Sequence, residues 1–162
     1  MEPRTISSFE YLAYPDSSAL STEDQQLLQD ARKVTVYAHA PYSKFHVGAA
    51  ILLANGTVIK GTNQENASYP AGICAERVTL STASSMHPGV AIDTIAISYD
   101  NQNGASAAPI SPCGICRQTL AEYENRQEQP IRVIMSGQTG PVNVLTTALH
   151  LLPFVFTAKD MK

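Results

Sequence analysis

Three cysteines and one glutamate offer the most specific chemistry in this sequence. All three cysteines of the 162-residue chain fall in two short stretches. Cys74 lies in the first stretch, two residues before Glu76, and Cys113 and Cys116 form a C-x-x-C pair in the second. Three thiolates can hold a zinc ion and leave its fourth position free for water, as catalytic zinc sites do. A carboxylate beside that water can handle its protons, so the pattern predicts hydrolytic chemistry.

Each cysteine stretch contains proline or glycine and lies at the start of a predicted helix. Cys113 and Cys116 stand at i and i+3, so both sulfurs face one way on a first helical turn. The N-terminus of a helix lowers the pKa of a cysteine and favours the thiolate that a metal needs. On an ideal helix Cys74 and Glu76 would point about 200° apart. Both can reach one site only if Cys74 lies in the non-helical cap or in a loose first turn.

Two other interpretations of the cysteines remain open at this point. A C-x-x-C pair is also typical of structural zinc, which requires a fourth Cys or His. The histidines of the chain are His39, His46, His87 and His150. None has ligand spacing to Cys74, although a distant one could serve, and three buried cysteines without metal are the other alternative. Arg77 follows Cys74 at i+3. Arg117 follows Cys113 at i+4, so both arginines could offset the negative charge of a three-thiolate zinc site.

Length and charge narrow the class of protein. We expect an irregular N-terminal arm at residues 1–20, with a short extended piece around 9–14, and a single catalytic domain at residues 21–162. The net charge of −3 and the absence of a Lys/Arg cluster disfavour nucleic-acid and anionic membrane partners. No apolar run approaches the ~20 residues of a membrane span, and residues 1–20 lack the apolar region of a signal peptide. We therefore expect a cytoplasmic protein.

Hydrophobic periodicity and turn signals place the cysteine motifs in an α/β fold. The predicted helices are 22–39, 73–86, 113–126 and a short one at 146–152. The predicted strands are 47–54, 57–62, 92–99, 131–135 and a short one at 142–145. This order predicts a three-layer α/β/α sandwich with a mixed, about five-stranded sheet. Two helix starts directed at one ion would then bring Cys74 to the C-x-x-C pair.

The cysteine stretches also resemble a known signature. Cys74-Ala75-Glu76 together with Pro112-Cys113-Gly114-Ile115-Cys116 is similar to the signature of zinc nucleoside deaminases in its all-cysteine form. The resemblance to cytidine deaminases extends from about residue 22 to the C-terminus. It includes residues 41–45, 47–50, 61–70, 73–77 and 151–153, with Phe156 and Asp160. His46 stands where the family commonly has proline, and residues 1–20 have no clear counterpart.

The resemblance implies a fold of the cytidine deaminase type and an activity. That activity is hydrolytic deamination of cytidine and 2′-deoxycytidine to uridine and 2′-deoxyuridine, with release of ammonia, as in pyrimidine salvage. The ligands of one Zn²⁺ per chain would be Cys74, Cys113 and Cys116. Glu76 would shuttle protons between water, ring N3 and the departing amine, and Arg77 would hydrogen-bond the zinc thiolates.

The resemblance also implies how a nucleoside would be held. Asn63 and Glu65 would hydrogen-bond the ribose hydroxyl, and Phe45 would pack against the pyrimidine ring. The backbone near Ala75 would contact the base. The all-cysteine group forms homotetramers, in which Phe156 would enter the pocket of a neighbouring subunit.

Two alternative functions remain at the level of sequence. The first is a deaminase of the same fold that acts on another aminated substrate, such as blasticidin S, a free base or a nucleotide. The second is a non-enzymatic zinc protein in which the metal only holds helices together. An open fourth coordination position and Glu76 argue against the second alternative.

Overall fold

The structure, a computed structural model, describes residues 9–161. The first eight residues of the predicted arm at 1–20, and the last residue of the predicted domain at 21–162, lie outside the described residues. The strands are β1 (Leu12–Tyr14), β2 (Phe45–Leu53), β3 (Val58–Thr62), β4 (Ile92–Asn101), β5 (Arg132–Ser136) and β6 (Val142–Leu145). The α-helices are α1 (Thr22–Val34), α2 (Ala75–Met86) and α3 (Gly114–Gln127). Short 3₁₀ turns are Ser17–Ala19, Thr35–Tyr37, Tyr69–Ala71, Ala148–Leu151 and Ala158–Met161.

The strands form one mixed sheet in the order β1-β6-β5-β4-β2-β3. Only β4 and β5 are parallel among these neighbours, which confirms the predicted mixed sheet. The predicted count of about five strands is low by one, because β1 pairs with β6 through Leu12 and Val144. The extended piece expected around 9–14 contains this strand, but three mostly exposed residues carry too short a pattern for hydrophobic alternation to assign them to the sheet.

Helices cover both faces of the sheet, which confirms the three-layer sandwich. On one face, Leu80 of α2 and Leu120 of α3 pack against Ile95 in the larger core cluster. On the other face, Leu28 of α1 packs in a cluster with small residues of the sheet, including Ala96. Because side chains alternate along a strand, neighbouring positions of β4 supply opposite layers of the core.

A glycine of β2 sets how closely α1 approaches the sheet. A Cβ atom added at Gly48 would lie 2.1 Å from the carbonyl oxygen of Ala31, so no larger residue fits beneath this turn of helix. The side-chain oxygen of Ser21 caps the first turn of α1 by accepting a hydrogen bond from the amide of Asp24. The helix is shorter than the predicted 22–39, since it tightens into the 3₁₀ turn Thr35–Tyr37 ahead of Pro41.

The predicted helix at 146–152 is also shorter in the structure. It is only the 3₁₀ turn Ala148–Leu151, which is capped by Thr147 and ends before Pro153. The turn is tied to α3 by the buried carboxylate of Glu124, which accepts hydrogen bonds from the Ala148 amide (2.7 Å) and from the Thr147 hydroxyl. The same carboxylate accepts from the Ile131 amide at 2.9 Å, so α3 is fixed against the start of β5 as well. Within residues 9–161, no helix has the length and hydrophobicity to cross a bilayer.

Candidate metal and active site

The three cysteine sulfurs converge on one point. The Sγ atoms of Cys74 and Cys113 lie 3.7 Å apart, and those of Cys113 and Cys116 lie 3.5 Å apart. Tetrahedral zinc with Zn–S bonds of about 2.3 Å holds its sulfurs about 3.8 Å from one another. The cluster therefore fits one zinc ion per chain. Within the described residues it contains only these three ligands, without histidine or carboxylate, so a zinc ion bound here would have its fourth position open to water.

Two helix N-termini place the sulfurs. Cys74 is the N-cap of α2 with extended backbone angles (φ −74°, ψ 153°), and Cys113 is the N-cap of α3 (φ −66°, ψ 167°). Cys116 follows in the first turn of α3 and is fully buried. The extended cap confirms the prediction that Cys74 lies outside the regular helix. Both N-termini direct partial positive charge toward the thiolates.

The chain before Cys74 is attached to the segment that follows β3. Gln64 and Ile73 exchange two backbone hydrogen bonds of 2.9 and 3.0 Å. On its other side, the same segment makes two backbone hydrogen bonds to His39. The His39 amide donates to the carbonyl oxygen of Asn63, and the Glu65 amide donates to the carbonyl oxygen of His39. The predicted sugar-binding residues therefore flank Gln64, whose backbone partner Ile73 immediately precedes a metal ligand.

Burial and mutual contact set the protonation of the cluster. Burial raises the pKa of the Glu76 carboxyl, whose residue is only 5% exposed, while its own backbone N–H and the Cys116 thiol act in the opposite direction. A hydrogen bond with Cys116 lowers the pKa of Cys74 to about 6, and the Arg77 charge contributes. The same contact, together with burial, raises the pKa of Cys116. The structure thus places Glu76 beside the sulfurs in a largely water-excluded position.

The aromatic ring predicted to pack on a pyrimidine lies at the start of β2. Phe45 stacks on Tyr99 of β4, with ring centroids 4.8 Å apart and an interplanar angle of 15°. The preceding residue, Lys44, has a left-handed backbone (φ 58°). Its amide donates to the carbonyl oxygen of Ala40, which closes the 41–44 loop. Phe45 is therefore presented by a tight loop and backed by a second aromatic ring.

Asn63 and Glu65 hold this loop with part of their side chains. The Asn63 Oδ1 accepts from the Val47 amide (2.7 Å), and its Nδ2 donates to the carbonyl oxygen of Phe45 (2.9 Å). The Glu65 Oε2 accepts from the amides of Tyr42 (2.9 Å) and Ser43 (3.3 Å). Hydrogen bonding, first from the Ser43 side chain, lowers the pKa of Glu65. Both backbone hydrogen bonds to this carboxylate go to its Oε2 atom.

The remaining predicted site residues fall in three environments. Ala75 is fully buried as the first residue of α2. Arg77 is half-buried, and within residues 9–161 its guanidinium donates no hydrogen bond to a sulfur. Phe156 is 57% exposed on the C-terminal tail, where its backbone is bonded to the side chain of Gln118.

Several residues that position the site carry no signal of that role in the sequence. The Gln102 amide donates to the carbonyl oxygen of Lys44 (3.0 Å). The Asn103 side chain donates to the carbonyl oxygen of Ser43 (3.1 Å). The polar loop at 100–112 therefore supports the loop that presents Phe45. Arg117 donates to the carbonyl oxygen of Pro112 (2.8 Å), so it holds the chain just before Cys113.

A mixed-sheet α/β/α sandwich, with three thiol ligands at two helix N-termini and a buried acid beside them, defines a zinc-binding enzyme domain with an open coordination position. The family model for the cytidine and deoxycytidylate deaminase zinc-binding region matches residues 21–128. The chain belongs to the cytidine and deoxycytidylate deaminase family.

Individual relatives match over most of their length. The cytidine deaminase of Halalkalibacterium halodurans is 39% identical, over 85% of this chain and 96% of that protein. The cytidine deaminase of Sporosarcina psychrophila is 36% identical, over 85% and 93%. The crystal structure of cytidine deaminase from Burkholderia pseudomallei superposes with a TM-score of 0.71 at 35% identity, over 85% of this chain and 100% of that one.

Proposed function

We propose that this protein catalyses the hydrolytic deamination of cytidine and 2′-deoxycytidine to uridine and 2′-deoxyuridine, with release of ammonia. The observation that carries the proposal is the cluster of three sulfurs, with ligand atoms within 4.8 Å of one another, beside the buried Glu76. The cytidine deaminases among its relatives support the same reaction.

The chemistry follows from the residues of the site. A zinc ion held by three protein ligands lowers the pKa of a water molecule from 15.7 toward ~7, which makes a nucleophile available at neutral pH. Glu76 takes a proton from the water that adds to C4 and delivers it to ring N3. Glu76 then takes the remaining proton of the hydroxyl added at C4 and carries it to the exocyclic amine. The C4–N bond breaks as the C4 carbonyl forms, and ammonia leaves. Its buried position, which raises its pKa, suits a group that must both accept and donate a proton.

The remaining assignments extend to substrate contacts. The ligands are Cys74, Cys113 and Cys116. Asn63 and the Oε1 atom of Glu65 hydrogen-bond a ribose hydroxyl, Phe45 packs on the base, and the backbone at Ala75 contacts it. Arg77 tempers the charge of the thiolates. The exposure of Phe156 supports a homotetramer in which this ring enters the pocket of a neighbouring copy.

The cellular role follows from the substrate. We place the protein in the cytoplasm and in pyrimidine salvage, with one catalytic domain at residues 21–162 preceded by an arm at 1–20. The net charge of −3 supports a small nucleoside as substrate in preference to a polyanionic nucleic acid.

The proposal is tested by zinc analysis together with an ammonia-release assay. Cytidine and 2′-deoxycytidine are compared with cytosine, CMP and blasticidin S at equal concentrations. We expect zinc near one per chain and turnover of the two nucleosides. Zinc without ammonia from any aminated pyrimidine would indicate a non-enzymatic zinc protein.

A second candidate is deamination of blasticidin S. The blasticidin-S deaminase of Bacillus cereus is 29% identical over 85% of this chain. This similarity is lower than that to the cytidine deaminases, which is why we rank this substrate second. Faster turnover of blasticidin S than of cytidine would reverse the order.

A further inference from the structure

The C-terminal tail, residues 153–161, is a largely exposed apolar segment with few attachments. Phe154, Phe156 and Met161 are all exposed. In the described part of the chain, the only hydrogen bonds that join the tail to the rest of the protein come from one side chain. The Gln118 Nε2 donates to the carbonyl oxygen of Phe156 at 2.7 Å, and the Phe156 amide donates to the Gln118 Oε1 at 3.4 Å.

Beyond this contact, the tail and the C-terminal part of α3 border one cleft. A cleft of about 600 Å³ is lined by Glu122 and Gln129 on one side and by Thr157 and Lys159 on the other. The tail ends in a local turn, in which the Asp160 carboxylate accepts from the amide and the hydroxyl of Thr157 at 2.7 and 2.9 Å. The two hydrogen bonds of Gln118 therefore decide where Phe156 leaves the surface of its own chain.

Gln118 also belongs to the rigid element that carries the metal ligands. It lies two residues after Cys116 on α3, whose first turn holds two of the three sulfurs. The other end of the helix is fixed through the buried Glu124. The tail is therefore held by the same helix that carries two of the three cysteines of the cluster.

We propose that Gln118 is a positioning residue for substrate binding, which holds the tail so that Phe156 closes the nucleoside pocket of a neighbouring copy of the chain. This inference rests on the proposed function, which supplies the assignment of Phe156 to the pocket of a neighbouring copy. Gln118 does not touch the substrate. It acts by removing the freedom of an exposed tail, which would otherwise have to be ordered when substrate binds.

The test compares Gln118→Met with Gln118→Glu and with a control. Met has a similar length and keeps the helix, but it makes neither hydrogen bond. Glu keeps an acceptor for the Phe156 amide but turns a carboxylate oxygen toward the Phe156 carbonyl oxygen, so an effect at least as large as that of Met is expected. The control is Gln26→Met on the exposed face of α1, where the side chain makes one 3.5 Å hydrogen bond to Asp30.

Hydrogen exchange and kinetics report different steps. In Gln118→Met, the exchange of the Phe156 amide should become roughly 5- to 50-fold faster, since this amide loses its hydrogen bond to the Gln118 Oε1 and the tail loses its attachment. KM for cytidine should rise roughly 5- to 30-fold with kcat within about twofold, which is the signature of lost binding that is common to ground and transition states. The melting temperature should match that of Gln26→Met.

Each result decides one part of the inference. Unchanged exchange of the Phe156 amide in Gln118→Met would overturn the attachment. Faster exchange with an unchanged KM would overturn its link to substrate binding. If the wild-type protein does not deaminate cytidine, the proposed function fails, and the exchange measurement still decides whether Gln118 holds the tail.

Discussion

Gln64 and Ile73 bind each other through both of their backbone groups, at 2.9 and 3.0 Å. This pair joins the segment that carries the proposed sugar-binding residues to the segment that ends at the metal ligand Cys74. The distance between the proposed sugar-binding residues and the cysteine cluster is thus set by main-chain atoms, which few side-chain substitutions can disturb. Such an arrangement suits a reaction in which a positional error of about 1 Å can cost ~10²-fold in rate.

The first prediction concerns the proton shuttle. Glu76→Gln should retain zinc and lose roughly 10²–10⁴-fold in kcat, because an amide cannot carry protons between water and the ring. Zinc content and ammonia release are measured on the same preparation. The matched control is Glu23→Gln, which changes an exposed acid in the first turn of α1. Normal turnover in Glu76→Gln would remove the acid–base role from this carboxyl.

The second prediction concerns the metal. Cys116→Ser should bind less than about one tenth of the wild-type zinc, since this fully buried sulfur is one of the three ligands that the cluster offers within residues 9–161. Chelation of zinc from the wild type should lower the melting temperature, because an ion that binds only the folded state stabilises it. Added zinc should restore both the melting temperature and the activity. Retention of one zinc per chain by Cys116→Ser would contradict the assignment.

The third prediction concerns the loop that presents Phe45. Asn103→Ala removes a side-chain hydrogen bond of 3.1 Å to the carbonyl oxygen of Ser43, and should raise KM for cytidine roughly 2- to 10-fold. The control is Asn55→Ala, which removes a comparable hydrogen bond, to the Thr57 amide, in the β2–β3 turn at the other end of β2. Equal KM values for the two variants would show that the 100–112 loop does not support substrate binding.

The fourth prediction concerns stability. The carboxylate of Glu124 accepts hydrogen bonds from three donors, and Glu124→Gln replaces one of its oxygens with an NH₂ group that cannot accept. This change should lower the free energy of unfolding by about 1–3 kcal/mol. Glu122→Gln, two residues earlier on the same helix and partly exposed, should change it by less than about 0.5 kcal/mol. Urea titration monitored by circular dichroism checks both values. A Glu124→Gln variant as stable as Glu122→Gln would show that the buried network adds little.

What the sequence predicts well here depends on short separations along the chain. The C-x-x-C pair, the acid two residues after Cys74 and the proline or glycine near each helix start are local signals. Of the two positions that they allow for Cys74, the cap and a loose first turn, the structure shows the extended cap. The Asn55-Gly56 turn is local in the same way, and Gly56 has the positive φ (83°) that such a turn favours.

What the sequence does not predict depends on partners far along the chain. Asn103 is 60 residues from Ser43, and Glu124 is 24 residues from Ala148, so neither contact leaves a periodic or positional trace. Arg117 shows a further limit, since its spacing from Cys113 suggested charge compensation, whereas its guanidinium bonds the carbonyl oxygen of Pro112. A charged side chain can satisfy a backbone group and an ion equally well, and spacing alone does not choose between them.

The three residues of β1 have a consequence for handling the protein. They cover the outer edge of β6, whose unpaired amides and carbonyls would otherwise offer a template for strands of other molecules. β1 makes a poor template in its turn, because it is only three residues long and Pro15 follows it directly. We therefore expect a chain that begins after residue 15 to aggregate through the edge of β6, so that its solutions become turbid with time and with rising protein concentration.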